Sequence, residues 1–148
     1  MPDLAPTIRT FILADTDLVS NLTTYNSQKA VFTRRPVPTD SEYPIMVISP
    51  QITASENDYL TNERRTAVYD ITVYGQNDTS ANYRAVEETA FKLANKFNRL
   101  TDLVLPTGYT LIQAVGLGPI PAPTDDDQKI ARLVSVTFDI LTTDKFDG

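Results

Sequence analysis

The groups in this chain that could do chemistry are carboxylates, guanidinium groups and hydroxyls, because it contains neither histidine nor cysteine. A Ser-His-Asp or Cys-His triad cannot be built from such a set, and disulfides and thiolate zinc sites are excluded with it. The densest group of hard oxygen ligands is Asp125, Asp126 and Asp127. An EF-hand loop opening at Asp125 would need glycine sixth and glutamate twelfth, and Ile130 and Val136 stand there instead. A solvated acidic turn is the plainer reading. Asp15 and Asp17 read in the same way, as helix-capping acids rather than metal ligands. Paired carboxylates can do acid–base work without histidine, but nothing in the spacing sets two of them across a cleft. Gly116-Leu117-Gly118 starts like a dinucleotide loop, lacks the third glycine and runs into proline. Neither a GxxxxGK[ST] phosphate loop nor a GxSxG elbow is present.

Two basic doublets remain, Arg34-Arg35 and Arg64-Arg65. They are too few, against an acidic background, to form a nucleic-acid patch. Their forked donors suit carboxylates of an adjacent subunit, with plain surface solubility as the competing reading. Tyr59 and Leu60, two large apolar groups in the polar run ASENDYLTNE, either fold back on the sheet or dock on a neighbour. The candidate interface set is therefore Arg34, Arg35, Tyr59, Leu60, Arg64, Arg65, Asp125, Asp126 and Asp127. No catalytic, cofactor or metal residue is assigned.

The whole chain sets the frame for these groups. Its 148 residues suit a single domain spanning 1–148, and 41% hydrophobic with 22% charged residues is a globular balance. A net charge of −6 opposes adhesion to DNA phosphates and otherwise keeps a protein soluble. The start, MPDLAPTIRT, has no secretory pattern, and no apolar run reaches the roughly 20 residues that span a bilayer. A soluble protein made in the cytoplasm is expected.

The elements follow from periodicity. Leu4, Ile8, Phe11 and Ile12 fall at helical spacing behind Asp3, so residues 4–22 predict one helix, kinked at Asp15-Thr16-Asp17. Ala30-Val31-Phe32 is a short strand. Tyr43–Thr53 is another, at an edge or bulged at Pro50. Ala54–Glu63 reads as a long hairpin loop. Arg64–Gly75 alternates, with Ala67, Tyr69, Ile71 and Val73 on one side. Tyr83, Val86, Ala90, Leu93, Ala94, Phe97 and Leu100 mark a helix over about 80–100, with Glu88 and Lys92 suitably spaced to pair. Tyr109–Leu117 is strand-like, Gly116–Gln128 a proline-rich and then acidic loop, and Ile130–Leu141 a strand with Val134, Val136, Phe138 and Ile140 inward. The expected fold is α+β: a mostly antiparallel sheet of four to five strands built from two hairpins, with two helices packed on one face.

One resemblance emerges from that order. A helix ending Ile12-Leu13-Ala14-Asp15 leads to Val31-Phe32, then a proline stretch into Tyr43-Pro44-Ile45-Met46-Val47-Ile48. A polar hairpin precedes Tyr69-Asp70-Ile71-Thr72-Val73-Tyr74-Gly75, and a helix and a final hairpin follow. The pattern resembles the tail-terminator, or tail-completion, proteins of long-tailed bacteriophages and related tail-like particles, over nearly the whole chain. The resemblance implies a non-enzymatic virion protein without cofactors, assembled in the host cytoplasm into a ring, commonly hexameric, at the head-proximal end of the tail. Its implied partners are further copies of itself, the tail-tube protein and the head–tail connector; DNA would pass through the lumen without specific binding, and no membrane is involved. A head–tail connector or neck protein, and a small-ligand or peptide-binding α+β domain of a cytoplasmic complex, are the alternatives.

Overall fold

The computed structural model describes residues 3–33, 37–38, 42–58, 63–76, 80–122, 124 and 129–142. In chain order the elements are α1 (Ala5–Ala14), β1 (Thr24–Tyr25), β2 (Gln28–Lys29), β3 (Val31–Phe32), β4 (Ile45–Ile48), β5 (Thr53–Asp58), β6 (Glu63–Gln76), α2 (Ser80–Lys96), β7 (Tyr109–Pro121) and β8 (Lys129–Thr142). This is an α+β fold.

β6 is the axis. Its whole length pairs antiparallel with β8, from Glu63↔Thr142 to Gln76↔Lys129. On its other side it carries two partners end to end: β5 along Glu63–Val68 and β4 along Ile71–Tyr74. β7 pairs antiparallel with β8 on the far side, and β3 runs parallel to β4. The result is a six-stranded sheet with main order β3-β4-β6-β8-β7, plus a separate β1–β2 pair. One strand more than expected arises because β5 is extended where a hairpin loop was predicted over Ala54–Glu63. Its sequence, TASEND, has no strand-like alternation of its own; the ladder to β6 holds it. The strand expected over Tyr43–Thr53, at an edge or bulged at Pro50, is instead divided: β4 ends at Ile48, between β3 and β6, and β5 starts at Thr53.

Strand alternation divides the residues between two faces. Ala67, Tyr69, Ile71 and Val73 of β6, with Val134, Val136, Phe138 and Ile140 of β8, are wholly buried on one face. Both helices close that face: Val86, Ala90 and Leu93 of α2 with Phe97 just beyond it, and Ile8 and Ile12 of α1 with Leu4 just before it, join the same core. Aromatic edges lock the layers, with Phe97 against both Phe11 (5.7 Å between centroids) and Phe138 (6.0 Å). α2 lies close enough to β6 that a Cβ on Gly75 would stand 2.3 Å from Val86 Cγ2. Only a glycine fits beneath that helix.

α1 is shorter than the 4–22 helix expected. It ends at Ala14, and residues 15–21 form turns in which the Leu18 amide donates to Asp15 Oδ1 (3.1 Å), keeping Leu18, Val19 and Leu22 buried. α2 likewise stops at Lys96, and Arg99 adopts a positive φ of 56° before Leu100 bridges to Ala114. Between β1 and β2 the chain turns tightly through Asn26 and Ser27, both at positive φ, as a two-residue hairpin turn requires. β7 continues past Leu117 to Pro121, through register shifts at Leu111/Gln113 and Leu117/Ile120. Gly118, at φ +130°, sits in the second shift, where a Cβ would meet the Leu133 carbonyl at 2.6 Å. An unbroken alternation would set Leu111 and Gln113 on one side; the first shift instead puts Leu111 and Ala114 on the helix side.

The other face of the sheet is only partly covered. Ile45 and Val47 of β4 point there and form a second small core with Ala30, closed by Tyr25, Phe32, Val37, Tyr43 and Tyr74. Across β6, β8 and β7 that face continues as rows in register. One row is Val68, Thr137 and Val115; another is Asp70, Ser135 and Leu117; a third is Thr72, Leu133 and Ile120.

Candidate assembly surface

Of the expected interface residues, the structure describes Arg64 and Arg65; Arg34, Arg35, Tyr59, Leu60, Asp125, Asp126 and Asp127 lie outside the described residues. Arg64 and Arg65 are neighbours on β6, so alternation sends them to opposite faces. Arg64 forms an ion pair and hydrogen bond with Asp139 of β8 on the less covered face. Arg65 stands over the Tyr109 ring on the helix face, its guanidinium carbon 5.9 Å from the centroid. The doublet is two separate contacts, not one basic spot.

Several other described charges are also engaged within the chain. Arg132 Nε donates to Glu87 (2.6 Å), and its guanidinium lies 5.5 Å from the Tyr83 ring while donating to the Tyr83 hydroxyl at 3.0 Å. Tyr83 therefore leaves the apolar stripe predicted for it and packs, 41% exposed, against an arginine. Lys92 bridges Glu88 (3.1 Å) one turn earlier and Asp17 (3.2 Å) below α1. Lys96 reaches Asp15 (3.1 Å) and covers the Phe11 ring at 4.7 Å. The Leu18 amide and then Lys96 hold the Asp15 carboxyl below its ordinary range. The expected Glu88–Lys92 pair is present, and Lys92 and Lys96 also tie the first helix region to the second.

One hydroxyl is buried at the join between helix and sheet. Tyr69 Oη accepts the Leu4 amide (2.8 Å) and donates to Asp3 Oδ1 (3.1 Å). Burial pushes its pKa up to about 12. Asp3 also accepts the Ala5 amide (3.1 Å), so the helix start is tied both to its own capping acid and to the centre of the sheet. Every partner is structural. Among the described residues no cluster of three or more acidic side chains could hold a metal ion, and no helix is long and apolar enough to cross a membrane.

The feature that residue chemistry did not reveal is apolar. Eight large hydrophobic side chains are exposed among the described residues, and Ile112, Val115, Leu117 and Ile120 all belong to β7. Val104, 84% exposed, precedes that strand, in the segment that bridges to it through Leu100 and Ala114. A signal did exist: no charged residue stands between Asp102 and Asp125. On an edge strand that is unusual, since exposed edges normally carry charge to prevent association.

No family model matches the sequence, and no curated protein is significantly similar to it. Among solved structures the fold is recovered throughout: a chain of the virion of a native gene transfer agent particle superposes with a TM-score of 0.72 at 16% identity, over 94% of this chain and 95% of that one. The α+β architecture built on β6 is thus shared, almost end to end, with a chain from a virus-like particle.

Proposed function

We propose that the protein is a structural component of a phage-like virion, acting as a tail terminator. It would form a ring on the head-proximal end of the tail tube, stop tube growth and offer the surface that the head–tail connector joins. The observation that carries this reading is the near-complete coverage of both chains in the fold match to a gene transfer agent virion chain. The internal chemistry agrees with it: the described ion pairs tie elements of the fold together, and terminating a polymer requires surfaces rather than a reacting group. A ring of chains each carrying −6 would repel DNA phosphates and let the duplex pass.

The test is genetic and visual. A stop codon early in the gene should yield tubes of uncontrolled length that fail to join heads, seen by electron microscopy, and the purified protein should restore joining. Tubes of normal length that still lack heads would instead assign the chain to the neck.

A further inference from the structure

We propose that the β7 side of one subunit seats against the β4–β5 side of a second copy of this chain. The inference rests on the ring reading and specifies its contact. Ile112, Val115, Leu117 and Ile120 concentrate exposed apolar surface on β7, with Leu117 65% and Ile120 52% exposed, and Val104 is exposed in the segment before it. Isolated exposed hydrophobics are ordinary, but several on one uncharged edge strand mark an interaction surface. The charge pattern indicates what occupies it. Two copies of a chain at −6 repel, and the stretch between Asp102 and Asp125 is where one can approach another without opposing like charges. Nucleic acid is disfavoured there by the same lack of cations.

The complementary surface lies on the opposite side of the same sheet. Ile52, between β4 and β5, is 52% exposed, and β5 has β6 as its sole strand partner among the described residues. With β4 and β5 on one flank of β6 and β7 beyond β8 on the other, the two surfaces belong to opposite sides of one subunit. Such a contact is heterologous, one patch against a different patch, and it repeats from copy to copy until the circle closes. Pro119 and Pro121 lack amide hydrogens, so side chains rather than a continuous ladder make the contact along that part of β7.

The cysteine-free chain allows a direct test. Leu117→Cys and Ile52→Cys, separately and together, are treated with a short bis-maleimide and resolved under denaturing conditions. The double variant should give a ladder of cross-linked multimers, and each single variant should remain monomeric on the gel. In parallel, Leu117→Glu/Ile120→Glu, both exposed, should keep the circular dichroism of the parent while light scattering shows assembly weakened at least tenfold. A parent ring whose mass the double glutamate variant preserves would overturn this contact and leave the ring reading standing. A cross-linked dimer from Leu117→Cys alone would mean like faces meet and would also overturn it. A parent that stays monomeric at high concentration would overturn the ring and this contact together.

Discussion

Tyr69→Phe isolates one atom at the join between α1 and the sheet. The ring remains, and with it the edge-to-face packing on Phe138 at 5.9 Å. What disappears is the acceptor for the buried Leu4 amide and the donor to Asp3. Stranding a buried backbone N–H costs about 1–3 kcal/mol. For a chain of this size each kcal/mol lowers Tm by about 2–4 °C. Urea denaturation should therefore show a lower midpoint with an unchanged slope, since the surface exposed on unfolding is the same. The pH dependence supplies a second readout. The folded pKa of Tyr69, about 12, lies above its ordinary 10.0, so burial favours the protonated form. That contribution is complete below pH 10 and is lost as pH rises through 10 towards 12. The variant should lack this alkaline loss. A midpoint equal to that of the parent at neutral pH, with the Leu4 amide still protected from hydrogen exchange, would refute the argument.

Other outcomes follow from the same packing. Gly75→Ala forces a methyl to within 2.3 Å of the buried Val86 side chain and should cost about 1–3 kcal/mol in urea denaturation. Leu93→Asp, which puts a carboxylate among the wholly buried residues of the main core, should abolish the cooperative thermal transition. Asp15→Asn keeps an acceptor for the Leu18 amide but loses the charge that faces Lys96. Because the folded pKa is depressed below 3.8, the stability advantage of the parent should be present above that pH and vanish as pH falls through the folded value. Matched urea curves at neutral and acid pH measure it.

The elements that could be read from sequence are those whose own side chains carry the period. β6, β8 and most of α2 each bury one alternating or helical set against a single layer, and their inward residues were identifiable one by one. β5 was not, because TASEND becomes a strand through pairing with β6 rather than through any preference of its own. The second small core was hidden for a related reason: Ala30, Ile45, Val47 and Tyr74 come from separate segments and meet only once β4 has joined β6. At the candidate surface, the charges are what a sequence displays as chemistry. Alternation split Arg64 from Arg65, and the uncharged β7 held the larger exposed feature. On a regular strand, consecutive residues point to opposite faces, so a doublet in sequence is not a pair in space.

The latch between α1 and Tyr69 also has a consequence for how the chain comes together. A ten-residue helix is marginal on its own in water. The groups that hold this one are distant in sequence: Tyr69 lies 65 residues beyond Leu4, and Lys92 lies 75 beyond Asp17. During synthesis α1 precedes these anchors, which appear only after β6 and α2 have been made. The helix can therefore complete its packing only once those later elements are in place.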